Sequence, residues 1–304
     1  MVSQEQLALP LPEVASQPAR VGIPRAQRVF VNRNLPMAGI DWVGFDMDYT
    51  LAIYDQAEMD RLSIEATVKK LVQRGYPAAI AHLEYRADFP IRGLLIDKKL
   101  GHCLKMDRYK VVQKGYHGMH PLGRDEIRTL YQQRKIRPTT PRYHWIDTLY
   151  ALCEAAVYSG VVEGLEQRKI AVDYASLFKD IRECIDEAHR DGTILDCVTA
   201  DFPRFVKRDP LLAPTLHKLR SAGKRLFLLT NSRWAYTNEM MKFLLADAMP
   251  EYPSWRHFFD VVICSSGKPA FFQERRPLME RDVDSARPAN LRPATHIERG
   301  RIFE

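Results

Sequence analysis

Apolar positions along the chain follow two rhythms. Short continuous runs stand at Ile40 to Phe45, Arg225 to Leu229 and Phe259 to Cys264, the pattern of strands buried on both faces of a parallel sheet. Between them, apolar residues recur at helical spacing. Ile64, Val68 and Leu71 do so within Ser63 to Gln73, and Leu177, Ile181, Cys184, Ile185 and Ala188 within Tyr174 to His189. Ile146 to Val161, Pro210 to Ala222 and Tyr236 to Leu245 are further predicted helices, with stops at Gly75 and Gly223. Each apolar run ends in polar residues: Asp46 and Asp48, then Thr230-Asn231-Ser232, then Ser265-Ser266-Gly267-Lys268-Pro269. Helix and strand in alternation predict an α/β fold with a doubly wound parallel sheet, which binds ligands at the carboxyl ends of its strands.

The rhythm breaks in two places. Residues 1–27 carry Pro10, Pro12, Pro18 and Pro24 among small and polar residues and are expected to form an arm without its own core. From Ile91 to His117 the pattern changes to short β-like pieces, Gly93 to Asp97, Cys103 to Met106 and Lys110 to Val112, separated by turn residues. The expected organisation is a core of residues 28–60 and 200–304. Residues 61–199 are the expected insertion, a mostly helical cap with a small β excursion.

Composition narrows the setting. A chain of 304 residues with 46% apolar side chains can fill a large core or a core with an inserted domain. No run approaches the roughly 20 consecutive apolar residues of a membrane span, and a secretory leader pattern is missing. The expected location is cytoplasmic, with no membrane partner. Cys103, Cys153, Cys184, Cys197 and Cys264 are odd in number and lack Cys-x-x-Cys spacing, which suits free thiols in a reducing compartment. The formal charge of +7 is spread along the chain instead of blocked, so no nucleic acid is expected as partner. A small anionic substrate suits the mild excess equally well.

Phosphate-ester hydrolysis needs a nucleophile, a proton donor for the leaving oxygen, a cation, and fixed donors around the phosphoryl oxygens. Asp46, directly after the first strand, is the candidate nucleophile. Asp48, two residues on, is the candidate acid and base. Adjacent ionised carboxylates repel each other and the substrate, so a hard cation such as magnesium is expected between them. Thr230, Asn231 and Ser232 offer donors for phosphate oxygens, and Lys268 offers a positive charge beside Asp46. Singly, each motif is more often a turn or a helix cap; their shared place after apolar strands makes the joint reading specific.

Asp46-Met47-Asp48-Tyr49-Thr50-Leu51, with Leu228-Leu229-Thr230-Asn231-Ser232 and Lys268-Pro269-Ala270-Phe271-Phe272, resembles the haloacid dehalogenase superfamily, and within it the cytosolic purine 5'-nucleotidase family. The resemblance runs from about Arg28 to the C-terminus. It implies hydrolysis of purine nucleoside 5'-monophosphates such as IMP or GMP with Mg2+, and a tendency to form homo-oligomers. By the same resemblance the nucleophile falls on Asp46, the acid/base on Asp48, the phosphate-binding motif on Thr230, Asn231 and Ser232, and the lysine on Lys268. The metal falls on Asp46 and the backbone carbonyl of Asp48. Arg182, Asp186 and His189 match residues that face the nucleoside, and their spacing of four and three places them on one helix face. An i,i+4 ion pair on a solvated face is the alternative for that trio.

The superfamily's fourth motif, an apolar strand ending in Gly-Asp, has no match. Asp282 and Asp284 stand in a polar, proline-rich stretch, and Asp260 precedes a strand. The expectation drawn from this is a truncated chain whose core is incomplete at the C-terminus. A catalytically impaired nucleotide-binding or interaction fragment, and a sugar-phosphate phosphatase of the same superfamily, stand as the alternative functions.

Overall fold

A computed structural model of the chain describes residues 30–82, 89, 91–132, 136–148, 151–246, 248–282, 291–297 and 300–304. The chain divides into two units, Met1–Ile40 and Asp41–Glu304. In the first, the described stretch holds a short 3-10 turn, Met37–Gly39; the arm expected over 1–27 lies outside the described residues.

In chain order the second unit runs β1 (Trp42–Phe45), β2 (Ile53–Tyr54), α1 (Gln56–Gln73), β3 (Leu94–Asp97), β4 (His102–Met106), β5 (Val112–His117), β6 (His120–Pro121), α2 (Arg124–Ile127), β7 (Tyr143–Ile146), α3 (Leu152–Glu166), α4 (Tyr174–Arg190), α5 (Thr193–Ala200), α6 (Phe202–Phe205), β8 (Val206–Lys207), α7 (Leu212–Ser221), β9 (Arg225–Leu229), α8 (Trp234–Leu245), β10 (Val261–Ile263), β11 (Met279–Arg281), β12 (Leu291–Pro293) and β13 (Ile302–Phe303).

Among the described residues the main sheet has the order β1-β9-β10-β13-β11-β12. The pairs β1/β9, β9/β10 and β10/β13 are parallel, and β11 runs antiparallel to both neighbours. This is the expected doubly wound α/β core. Leu226 and Leu228 of β9 pack with Ala213 and Leu216 of α7 and Met240, Met241 and Leu244 of α8. Leu229, Val261, Ile263 and Phe303 form a second cluster, with Phe227 packed against it. Successive residues of a strand point to opposite faces, so a strand covered on both sides needs a continuous apolar run. Gly44 meets a local constraint: a Cβ there would lie 2.1 Å from the ring of Phe227, its register partner on β9.

The inserted region builds a second sheet, β6-β5-β4-β3-β7, antiparallel throughout. Its Leu94, Ile96, Cys103 and Ile146 share a core with Ile64, Val68 and Leu71 of α1, Val157 and Val161 of α3, and Leu177 and Ile181 of α4. Its Leu95, Leu104 and Val112 share another with Ile127, Tyr131 and Ile136. The cap is therefore mostly helical but is built around a sheet.

Several expected boundaries are corrected. Ile146 ends a strand that pairs with Leu94, and the helix expected from Ile146 to Val161 is described from Leu152, with residues 149–150 outside the described set. The expected strand Lys110 to Val112 fails because Lys110 turns at φ +66, and the strand begins at Val112. The helix expected from Ser63 begins seven residues earlier, at Gln56, where the Asp55 carboxylate accepts from Glu58 N. Of that first turn only Ala57 and Met59 are apolar, too few to set a helical period, so periodicity alone missed it. Phe259 to Cys264 contracts to Val261–Ile263.

Candidate active site

The loop after β1 is tied to one residue. Met47 is fully buried, and its carbonyl accepts from the backbone N–H groups of Thr50, Leu51 and Ala52 at 3.2, 2.9 and 2.9 Å. Tyr49 takes a left-handed conformation, φ 58, to close this turn. With Met47 anchored inward, Asp46 and Asp48 flank it.

Asp46 is the more exposed of the two acids. Lys268 Nζ lies 2.8 Å from its Oδ1 and donates also to the carbonyl of Leu229 at 2.7 Å. The backbone N–H of Met47 donates to the same Oδ1 at 2.8 Å. Asp46 Oδ2 has no protein partner among the described residues. Lys268 is thus held between the end of β9 and the carboxylate, as a cation for an anionic centre must be.

Asp48 is satisfied on both oxygens. Tyr54 OH donates to Oδ1 at 2.6 Å and Ser232 Oγ to Oδ2 at 2.7 Å. Because the Tyr54 proton goes to Asp48, Tyr236 OH, 2.8 Å away, is the donor to Tyr54. Burial raises the Asp48 carboxyl above the usual carboxylate range; the two hydroxyls oppose this, and the charge of Asp46 adds to it. Burial likewise raises Tyr54 well above its ordinary value, with Asp48 and Tyr236 adding to the shift.

The loops after β9 and β10 are sewn together. Ser266 N donates to Thr230 O at 3.0 Å and Ser265 N to Ser232 O at 3.0 Å. Asn231 Oδ1 accepts from Lys268 N at 2.7 Å and from Ser266 Oγ at 2.9 Å, while its Nδ2 donates to Lys268 O at 3.0 Å. Thr230 is fully buried, and its hydroxyl accepts from Ser232 N at 3.0 Å. Of the three expected phosphate-binding side chains, Ser232 reaches Asp48, Asn231 holds Lys268, which pairs with Asp46, and Thr230 braces the loop through Ser232 N.

The other expected trio sits together on α4. Asp186 is exposed, while Arg182 and His189 are partly buried. Arg182 pairs with Glu154 of α3, not with Asp186, which replaces the i,i+4 alternative. Burial lowers the His189 imidazole to about 4, against the opposing charge of Asp186. Tyr54, Tyr236 and Glu154 are the residues that sequence reasoning missed. Tyr236 carried one signal: it stands four residues after Ser232, in the first turn of α8.

For a magnesium ion the donor set offers the Asp46 carboxylate and the backbone carbonyl of Asp48, hard oxygens of the right class. Among the described residues no group of three or more His, Cys, Asp or Glu side chains is placed to hold a metal. Asp260 is not available for it, being buried against Arg220 at 2.9 Å, and Asp284 lies outside the described residues.

A model of the 5' nucleotidase family matches residues 29–304, a range that takes in all of these elements. The chain belongs to the 5'-nucleotidase family. It is 32% identical over 283 residues to a 5'-nucleotidase domain-containing protein of Dictyostelium discoideum, across 91% of this chain and 48% of that protein. To 5'-nucleotidase domain-containing protein 2 of Homo sapiens it is 29% identical over 286 residues, across 90% of this chain and 54% of that protein. This member of the 5'-nucleotidase family spans about half the length of the curated relatives it matches. No helix among the described residues is long and apolar enough to cross a membrane.

Proposed function

We propose that the chain hydrolyses purine nucleoside 5'-monophosphates through an aspartyl-phosphate on Asp46. The observation that carries this is the division of labour between two acids two residues apart. Asp46 is half-exposed and charge-paired to Lys268, while Asp48 is raised by burial and held by two hydroxyls.

In the first displacement the open oxygen of Asp46 attacks phosphorus and the bond to the nucleoside 5'-oxygen breaks; that oxygen takes the Asp48 proton. In the second, a water gives its proton to Asp48 and attacks phosphorus, and Asp46 leaves with the bonding pair. Lys268 and the donors of residues 230–232 offset charge on the phosphoryl oxygens throughout. Magnesium, held by Asp46 and the Asp48 carbonyl, would supply further charge neutralisation. The 5'-nucleotidase names of the relatives and the polar face of Arg182, Asp186 and His189 support a nucleoside as the leaving group.

The test is phosphate release from IMP, GMP, AMP and a sugar phosphate at saturating magnesium. IMP turnover is expected, and Asp46→Asn should lower it by about 10³-fold or more. Equal turnover in the variant sinks the role of Asp46. Preference for the sugar phosphate sinks the nucleotide assignment, and binding of IMP without release assigns nucleotide binding in place of hydrolysis.

A further inference from the structure

Glu154 lies outside the motifs that define the site. It stands on the first turn of α3 with a side chain only 3% exposed, and Arg182 pairs with its Oε1. Its Oε2 is buried without a hydrogen-bond partner, with His144 Nε2 of β7 lying 3.4 Å away. The His144 ring packs against Phe178 at 4.8 Å, and Lys98 Nζ stands 5.9 Å from the Phe178 ring.

A carboxylate taken out of water and left half-satisfied is a poor stabilising device, since an apolar residue of similar volume would serve the core as well or better. Its partner differs: the Arg182 side chain is 39% exposed, and a guanidinium has five N–H donors in a rigid fork. One edge meets Glu154, and among the described residues no other side chain engages Arg182. A long arginine otherwise loses rotamer freedom when it grips a ligand, so a buried anchor improves affinity by ordering it beforehand. The position also fits: Ala188, on the same helix as Arg182, lies in the core cluster that holds Met47 and Tyr54 of the acid loop.

We infer that Glu154 is a positioning residue that holds the Arg182 guanidinium ready for the nucleoside end of the substrate. The inference rests on the functional reading above, in which Arg182 meets the nucleoside.

The experiment is calorimetric binding of IMP and of inorganic phosphate, with magnesium, to the full chain and three variants. Glu154→Gln keeps the side-chain shape and should weaken IMP about tenfold, as expected for a lost charged hydrogen bond. Its loss for inorganic phosphate should be several-fold smaller. Arg182→Ala should weaken IMP at least as much, and the double variant no further, because Glu154 acts through Arg182. Equal losses for IMP and phosphate, or additive losses in the double variant, overturn the inference. Wild-type affinity in Glu154→Gln overturns it alone, whereas a wild-type chain that binds phosphate but not IMP overturns the functional reading and the inference together. Should Glu154→Gln fail to fold by circular dichroism, Arg182→Lys keeps the ion pair but loses the fork. Wild-type IMP affinity in that variant also overturns the inference.

Discussion

Asp48 accepts two hydroxyl hydrogen bonds at once, from Tyr54 and from Ser232, and Tyr54 is itself held by Tyr236. In the proposed mechanism Asp48 gives and then takes a proton within one turnover, a role that needs a fixed direction of the kind these bonds supply. Tyr54→Phe removes one of them and leaves Tyr236 without its acceptor. The expected result is a fall in kcat for IMP of about tenfold, the worth of a hydrogen bond to a charged group, with KM changed by less than about twofold. Steady-state kinetics separate the outcomes: a raised KM at constant kcat would make Tyr54 a substrate contact instead. Asp46, Asp48 and Lys268 were legible in sequence because each closes an apolar run. Tyr54 and Tyr236 were not, because their meeting depends on how β2 and α8 approach across 182 positions of chain.

At the scale of elements, α4 shows why some parts of the fold were readable. Leu177, Ile181, Cys184, Ile185 and Ala188 are buried, as their spacing predicts, and the helix opens on Asp173, whose carboxylate accepts from Ala175 N and Ser176 N. Ile181 is fully buried in the core shared by α1, α3 and the five-stranded sheet. Ile181→Ala should cost about 2–5 kcal/mol of stability by lost burial and the cavity left behind, measurable by urea unfolding. A loss below about 1 kcal/mol would show that this face is not the packing face. The strand at Tyr143–Ile146 was unreadable for the opposite reason. Its four residues alternate weakly, and the partner strand that makes it β lies near Leu94, far back along the chain.

Several carboxylates of the second unit are held in their charged form. Burial alone would raise Asp97, but Arg142, Tyr131 and the backbone N–H of Lys99 together bring it below the usual range. Lys70 lowers Asp191 and Glu187, and Ser176 lowers Asp173. A carboxylate whose folded pKa lies below its unfolded value, about 4, stabilises the fold above that value. The contribution is lost as pH falls through the folded pKa. His189 acts in the same direction: between its ordinary value of 6.5 and about 4, the unfolded chain binds a proton that the folded chain refuses. Stability should therefore fall as pH drops from 7 toward 3, steadily rather than at one step. Arg142→Met leaves Asp97 buried without its cation and should move the acid-unfolding midpoint upward by about half a pH unit or more. Circular dichroism across a pH series checks it; an unmoved midpoint would show that the Asp97 pair adds nothing.

The amino-acid sequence by itself determined the parallel core, the α4 helix, and the acid, lysine and hydroxyl-amide motifs at the strand ends. Each is a local pattern: an apolar run, a helical period, or a short spacing. Only the tertiary structure decided that the cap is built on a five-stranded sheet, that Tyr54 and Tyr236 hold Asp48, and that Arg182 turns to Glu154 and not to Asp186. Those contacts join residues distant in sequence, and their energy comes from burial and pairing that no window of neighbouring residues contains.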